Sequence, residues 1–230
     1  DELIGDALLV AVGRRPNVNG MDLENAGVEY SAQGIKVDKY LRTTQSHIYA
    51  AGDCAGGYQF THYAGWQATI AVRNALLPGK SKGMLETVPW TTFTDPEVAH
   101  VGMTEAAARE KYGDSVEVTE WPMTRVDRAR AENDTTGMAM LVHKKGQVLG
   151  ATIIAERAGE LIHEWLYVVD GKLKLRDVTT AIHVYPTYSS VNVKTGGALM
   201  SKLYLTGKIG RLLAKASKLI LKVMRMQRGF

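Results

Sequence analysis

The order of apolar and polar positions along the chain predicts an α/β region first. Residues 7–12 form a continuous apolar run, which is typical of a strand covered on both faces. Residues 43–51 are extended and largely apolar, and they lead into Gly52-Asp53 and a glycine-rich turn. Small apolar residues recur at helical spacing over 62–77, and a Pro-Gly pair ends this predicted helix. A helical turn at 22–26 and a short strand at 35–38 are predicted between them.

A polar linker at 80–86 separates this region from a second one with a mixed pattern. The pattern predicts strands at 90–93, 98–101, 116–121, 138–143 and 148–154, and helices at 105–112 and 158–169. Thr104 is a predicted N-cap, and Lys144-Lys145-Gly146 is a hairpin signal. The second region is therefore predicted to be α+β, an antiparallel sheet with helices on one face.

Charge is concentrated in the last 25 residues. The chain has 230 residues, a formal net charge of +4, 45% hydrophobic residues and 23% charged residues, which is globular composition. Seven lysines and arginines and no acidic residue lie between 206 and 230, among leucines and isoleucines. Three domains are predicted, at 1–79, 86–205 and 206–230. The basic amphipathic tail is compatible with a membrane surface, the protein's own body or a partner protein. Nucleic acid is not predicted, because no aromatic residues interleave the charges before Phe230.

Cys54 is the only cysteine, so the chain has no internal disulfide. No run of about eighteen uncharged apolar residues and no signal peptide are recognised. We interpret the chain as a piece of a longer polypeptide and predict a cytoplasmic location. Cys54 itself is interpreted as a small packing residue rather than a reactive thiol.

Several catalytic motifs are absent. The sequence contains no G-x-G-x-x-G fingerprint, no P-loop and no G-x-S-x-G elbow. The six histidines form no H-x-x-x-H pair, so no metal site is predicted. His163, between Glu160 and Glu164, is interpreted as part of a solvated helix face. The chain is therefore not expected to hold a self-contained catalytic site.

Gly52-Asp53 is the strongest candidate for a binding position. Glycine lets a ligand approach the backbone, and a carboxylate accepts hydrogen bonds from ligand hydroxyls at the carboxyl edge of a sheet. The local pattern alone is also compatible with an ordinary turn.

Three motifs in order carry a family resemblance. Residues 11–17 read Ala-Val-Gly-Arg-Arg-Pro-Asn, residues 49–53 read Tyr-Ala-Ala-Gly-Asp, and residues 183–187 read His-Val-Tyr-Pro-Thr. With these spacings the chain resembles the C-terminal part of the pyridine nucleotide–disulfide oxidoreductases, which include dihydrolipoamide dehydrogenase, glutathione reductase and the mercuric reductases. The resemblance extends to about Ser201.

The resemblance implies the closing segment of an FAD-binding domain followed by a dimerisation domain, and thus a homodimer. It implies that Gly52 and Asp53 contact the FAD ribityl chain and that Thr61 and His62 lie near the flavin ring. NAD(P)H is the implied electron donor of the full-length protein. The remaining parts of the FAD and NAD(P)H sites are expected before Asp1.

Tyr185 departs from the family pattern. Disulfide reductases of this family usually carry a histidine there as general base, with a glutamate where this chain has Ser190. A phenol is a poor base near neutral pH. His183 is expected to point the other way in an extended segment. Tyr185 is therefore a candidate catalytic residue that faces the acceptor. The alternative, which also applies to Tyr188, is packing at an interface.

Two functions follow as hypotheses. In the first, the full-length protein passes electrons from NAD(P)H through FAD to an unidentified acceptor, and this segment alone is inactive. In the second, the segment is a non-catalytic dimerisation or assembly module.

Overall fold

The computed structural model describes residues 4–206 and 208–227, which divide into two compact units at 88/89. The first unit contains two short strands and one long helix. These are β1 (Tyr30–Ser31), β2 (Gly34–Ile35) and α1 (Thr61–Leu76). β1 and β2 pair antiparallel. Its small core contains Val18, Leu23, Val28, Ile35 and Ala50. None of the helices among the described residues is long and apolar enough to cross a membrane.

Three strand predictions in the first unit are wrong. Residues 7–12 form no strand, and Leu8 and Leu9 are each 88% exposed. Residues 44–47 form a turn, closed by a hydrogen bond from Thr43 N–H to the Ile48 carbonyl (2.9 Å). The strand predicted at 35–38 ends at Ile35. A strand needs a neighbouring backbone for its hydrogen bonds, and within the described residues these segments find little or none. The long helix and the helical turn near 22–26 are confirmed.

The second unit is built on a five-stranded antiparallel sheet. The strands are β3 (Trp90–Thr92), β4 (Glu97–Gly102), β5 (Glu117–Pro122), β6 (Met138–Lys144) and β7 (Gln147–Ala155). Their order in the sheet is β3-β4-β7-β6-β5. β6 and β7 form a hairpin in which Lys144 pairs with Gln147. Lys145 and Gly146 both have positive φ, as a tight two-residue hairpin turn requires. The predicted sheet and hairpin are confirmed.

The second unit also contains α-helices, several of which pack on the sheet. They are α2 (Glu105–Tyr112), α3 (Asp127–Ala131), α4 (Ala158–Leu161), α5 (His163–Val169), α6 (Leu175–Thr180), α7 (Ser190–Thr206) and α8 (Lys208–Gln227). The main core joins Leu141, Ile153, Trp165 and Leu199. α2 packs through Ala108 against Val142, which the pleat directs to the other face from Leu141.

One helix prediction is confirmed by its N-cap, and another differs from the structure. The Thr104 hydroxyl accepts a hydrogen bond from the Ala107 N–H at 3.2 Å, which confirms Thr104 as the N-cap of α2. The helix predicted over 158–169 is instead split at Ile162 into α4 and α5.

We expect Leu141→Ala to lower the free energy of unfolding of the second unit by about 2–5 kcal/mol, because Leu141 is fully buried in the main core. Leu205→Ala is the matched control. Leu205 is 75% exposed, so this change is expected to have an effect below about 0.5 kcal/mol. Urea unfolding followed by tryptophan fluorescence measures both. Equal effects would contradict the assignment of Leu141 to the core.

Candidate functional site

Gly52 occupies a backbone position that only glycine fits. Its φ is +77°, a region that side chains disfavour. A β-carbon added there would lie 2.8 Å from the Ala64 β-carbon, in the first turns of α1. The absent side chain thus lets the turn pack directly on the helix.

A buried amide holds this turn in place. The Gly52 N–H donates to Gln67 Oε1 at 2.8 Å, and Gln67 Nε2 donates to the Gly83 carbonyl at 3.0 Å. Gln67 is completely buried in the middle of α1. One side chain therefore connects the turn, the helix and the segment that leads out of the first unit. The sequence analysis missed Gln67, because its spacing carries no signal of these contacts.

Asp53 lies at the start of a 3₁₀ turn, Asp53–Ala55. Its carbonyl accepts a hydrogen bond from the Gly56 N–H at 3.1 Å, while its side chain is exposed. The carboxylate is thus accessible to the hydroxyls of a ligand. The Cys54 thiol donates to the Ala51 carbonyl at 3.3 Å, and the residue packs against the small core.

The N-terminus of α1 forms the other side of the candidate site. Thr61 and His62 are exposed in its first turn, and Phe60 at the N-cap makes no side-chain hydrogen bond to the helix. The amide dipoles at this end favour an acceptor or a negative charge. The Phe60 and His62 rings stack with centroids 5.3 Å apart. Arg14 donates to the Gln59 carbonyl at 2.8 Å, which ties residues 11–17 to the loop before the helix.

Tyr185 lies in the second unit, in a tight loop before α7. Its side chain is 71% exposed. The Thr187 hydroxyl donates to the Val184 carbonyl at 2.6 Å, and the Ser190 hydroxyl donates to the Thr187 carbonyl at 2.8 Å. The Ser190 hydroxyl is thus hydrogen-bonded to the loop backbone. These bonds hold the loop in one conformation, while the Tyr185 side chain is accessible to solvent.

Tyr188, three residues later, is almost completely buried within the same chain. Its hydroxyl donates to Glu132 Oε2 at 2.8 Å and lies 3.2 Å from Glu156 Oε2. The pKa of Tyr188 is raised well above its ordinary value. Burial is the largest cause, and the hydrogen bonds and charges of these carboxylates add to it. Packing inside its own unit therefore accounts for Tyr188 without an interface.

His183 has a partner that the sequence analysis missed. Its Nε2 lies 2.9 Å from Glu164 Oε2, and its Nδ1 lies 3.0 Å from the Ala181 carbonyl. Burial lowers the pKa of His183, but the hydrogen bonds to Glu164 and Ala181 and the Glu164 charge outweigh it, so the pKa is raised. His163 is exposed, as the interpretation of a solvated helix face expects, but the neighbouring Glu164 is partly buried and paired with His183.

Asn192 orients Glu164. Asn192 Nδ2 donates to Glu164 Oε1 at 3.1 Å and to the Leu161 carbonyl at 2.8 Å. Its Oδ1 accepts from the Trp165 indole N–H at 2.8 Å. Because Asn192 and Trp165 are fully buried, the carboxylate that holds His183 is fixed by the core of the second unit.

Within the residues that the structure describes, no group of three or more histidine, cysteine, aspartate and glutamate side chains could hold a metal ion. The residues at the candidate site instead supply hydrogen-bond acceptors, backbone donors and aromatic rings.

Two family models match the chain. Residues 1–68 match the pyridine nucleotide-disulphide oxidoreductase model, and residues 88–195 match the dimerisation domain of the same family. The first match contains the Gly52 turn and the first turn of α1, and the second contains Tyr185 and the Glu164–His183 pair.

Similar proteins come from several bacteria. The mercuric reductase of Bacillus cereus is 40% identical over 185 residues, which are 79% of this chain and 29% of that protein. The dihydrolipoyl dehydrogenase of Bacillus subtilis (strain 168) is 34% identical over 192 residues, 82% of this chain and 40% of that protein. The solved structure of the HOCl-induced flavoprotein disulfide reductase RclA from Escherichia coli has a TM-score of 0.75 at 33% identity, covering 84% of this chain and 45% of that one.

The chain spans less than half the length of these relatives. Both family models indicate the same family. The antiparallel sheet of the second unit and the motifs at Gly52 and Tyr185 are consistent with it. The chain belongs to the pyridine nucleotide-disulphide oxidoreductase family of FAD-binding, NAD(P)-dependent oxidoreductases.

Proposed function

We propose that the full-length protein is an FAD-dependent oxidoreductase that passes electrons from NAD(P)H to a small-molecule acceptor. The observation that carries the proposal is the Gly52-Asp53 turn, packed on α1 through Ala64, within a chain that matches both family models. This segment supplies part of the FAD site, and we expect it to be inactive alone.

The residues of the first unit fit a flavin. The exposed Asp53 carboxylate accepts hydrogen bonds from ribityl hydroxyls, and the backbone at Gly52 permits close approach. Thr61 and His62 lie at the end of α1 whose dipoles favour the electron-rich edge of a flavin ring. When bound, FAD supplies the site that takes up hydride from NAD(P)H.

The second unit is proposed to form a homodimer and to bring Tyr185 toward the acceptor site of the partner subunit. The dimerisation-domain match and the 71% exposure of Tyr185 support this arrangement. A tyrosine hydroxyl donates hydrogen bonds, so Tyr185 orients or protonates an acceptor that gains negative charge on reduction.

An assembly module is the second candidate. The second unit has a five-stranded sheet and its own core, whereas residues 7–12 of the first unit are exposed. Size-exclusion chromatography and FAD titration of the 230-residue segment separate the two candidates. Dimerisation without flavin uptake by the segment, together with a full-length protein that cannot be reconstituted with FAD, would favour the module.

We expect Asp53→Asn to weaken FAD binding by the full-length protein by about tenfold or more, because a charged acceptor of hydrogen bonds is replaced by a neutral amide. The measurement is the flavin absorbance retained after dialysis, with a titration of added FAD. Asp114→Asn is the matched control, because Asp114 is also exposed in a short 3₁₀ turn but lies in the second unit. Equal retention in the two variants would contradict the role of Asp53.

We expect Tyr185→Phe to slow oxidation of the reduced enzyme by its acceptor by about 10²-fold, the loss typical of one proton-transfer group. FAD content and reduction by NAD(P)H are expected to be unchanged. Stopped-flow absorbance measures the two half-reactions separately. Tyr167→Phe, also an exposed tyrosine of the second unit, is the control. A Tyr185→Phe enzyme with normal oxidation would assign Tyr185 to packing.

We expect Glu164→Gln to lower the pKa of His183, because the raised pKa depends on the Glu164 hydrogen bond and charge. A raised folded-state pKa stabilises the protein fully below the unfolded value of about 6.5 and less as pH rises through the folded pKa. The stability lost in Glu164→Gln is therefore greatest at low pH. NMR titration of His183 and urea unfolding at pH 5.5 and 8.5 test this.

The control for this experiment is Glu160→Gln. It removes the same charge from an exposed side chain near the start of α5 without contact to His183. A His183 pKa that shifts equally in both variants would show a general charge effect rather than a specific pair.

A further inference from the structure

The last helix carries a row of exposed apolar side chains. α8 has 20 residues, and among its described side chains those of residues 211–221 and of Met224 are exposed. The large apolar ones are 45–70% exposed, namely Leu212, Leu213, Leu219, Ile220, Leu221 and Met224. A helix that packs on its own core buries such residues, so this surface has no cover among the described residues.

These side chains share one face of the helix. Leu212 and Leu219 are seven residues apart, as are Leu213 and Ile220, and Met224 follows Ile220 by four. Residues at these spacings lie one above another in a helix. Leu221 stands at the border with the polar face.

Basic residues occupy the opposite face. Arg211, Lys215 and Lys218 are exposed and follow the same spacing of three and four residues. The sequence from 206 to 230 contains seven lysines and arginines and no acidic residue. The helix therefore combines an apolar face with a purely cationic one.

The body of the protein does not use this helix for its core. The main core of the second unit ends with Leu199 and the partly buried Met200 and Leu203 of α7. α8 approaches the end of α7 through Gly210, which faces the Tyr204 and Leu205 carbonyls. The dimerisation-domain match ends at residue 195. The apolar face is therefore separate from the sheet and from the matched domain.

We propose that α8 lies flat on an anionic phospholipid bilayer and attaches the protein to the cytoplasmic surface of a membrane. The apolar face enters the boundary between headgroups and acyl chains, and the lysines and arginines reach anionic headgroups. The negative potential of that surface complements a helix that has no acidic residue.

The chemistry of the helix favours lipid over other partners. Nucleic acid would engage the cations but leave the apolar face exposed, and residues 208–227 contain no aromatic residue for base stacking. A second copy of α8 would cover the leucines, but it would bring six further cations and no acidic residue to compensate them.

The experiment is co-sedimentation of the 230-residue protein with vesicles of phosphatidylcholine alone or mixed 3:1 with phosphatidylglycerol. We expect partition into the mixed vesicles to exceed that into the neutral ones by more than about tenfold and to decrease as salt is raised to 0.5 M. Equal binding to both vesicle types, or no binding to either, would overturn the proposal.

Two double variants test whether the apolar face is needed for binding to vesicles. They have the same charge change and the same seven-residue spacing. Leu213→Asp with Ile220→Asp removes two members of the apolar face, and we expect about a hundredfold weaker partition. Ala214→Asp with Leu221→Asp replaces only the border residue Leu221 and keeps Leu212, Leu213, Leu219, Ile220 and Met224, so it serves as control and is expected to partition more strongly than the first variant. All four residues are exposed, so the thermal unfolding of both proteins is expected to be that of the wild type. Equal partition of the two variants overturns the proposal.

A third variant and a second measurement complete the test. Arg211→Gln with Lys215→Gln and Lys218→Gln keeps the apolar face and is expected to lose most of the preference for anionic vesicles. Sedimentation velocity without lipid tests the alternative that the apolar face packs against a second copy of the chain. A smaller oligomer for Leu213→Asp with Ile220→Asp, but not for the control, would assign the face to another copy of the chain and overturn the membrane proposal.

Discussion

The candidate site depends on the hydrogen bonds of one buried amide. Gln67 accepts from the Gly52 N–H and donates to the Gly83 carbonyl, so three segments far apart in sequence meet at one side chain. Loss of the amide would leave two backbone groups unpaired in a buried place, which costs about 1–3 kcal/mol for each. The contact between Gly52 and Ala64 is possible only because Gly52 has no side chain. Together these contacts fix Asp53 relative to the first turn of α1.

Elements held by local chemistry could be predicted from the sequence, and elements that need distant partners could not. The Thr104 cap and the Lys145-Gly146 turn are set by residues a few positions apart, and both are confirmed. Residues 7–12 have the composition of a buried strand, but composition reports burial and does not supply a neighbouring strand. Within the described residues they remain irregular and exposed.

The same distinction holds for the candidate site. The sequence motifs identified Gly52, Asp53, His62 and Tyr185 as candidate site residues. Their roles stay predictions. Sequence reasoning missed the residues that hold these motifs in place, Gln67, Glu164 and Asn192. Glu164 and His183 are nineteen residues apart, and a carboxylate on a short helix has the same local pattern whether it is solvated or paired. Only the contact of α5 with the loop before α7 distinguishes the two.

The Glu164–His183 pair also bears on the proposed acceptor chemistry. Its imidazole is held by a carboxylate that Asn192 orients, which stabilises the protonated form of His183 and raises its pKa. Tyr185 carries an exposed hydroxyl that can donate a hydrogen bond. Both ring nitrogens of His183 have partners within the chain, so the exposed donor of this loop is the Tyr185 hydroxyl. Such a donor suits the proposed acceptor, which develops negative charge as it is reduced.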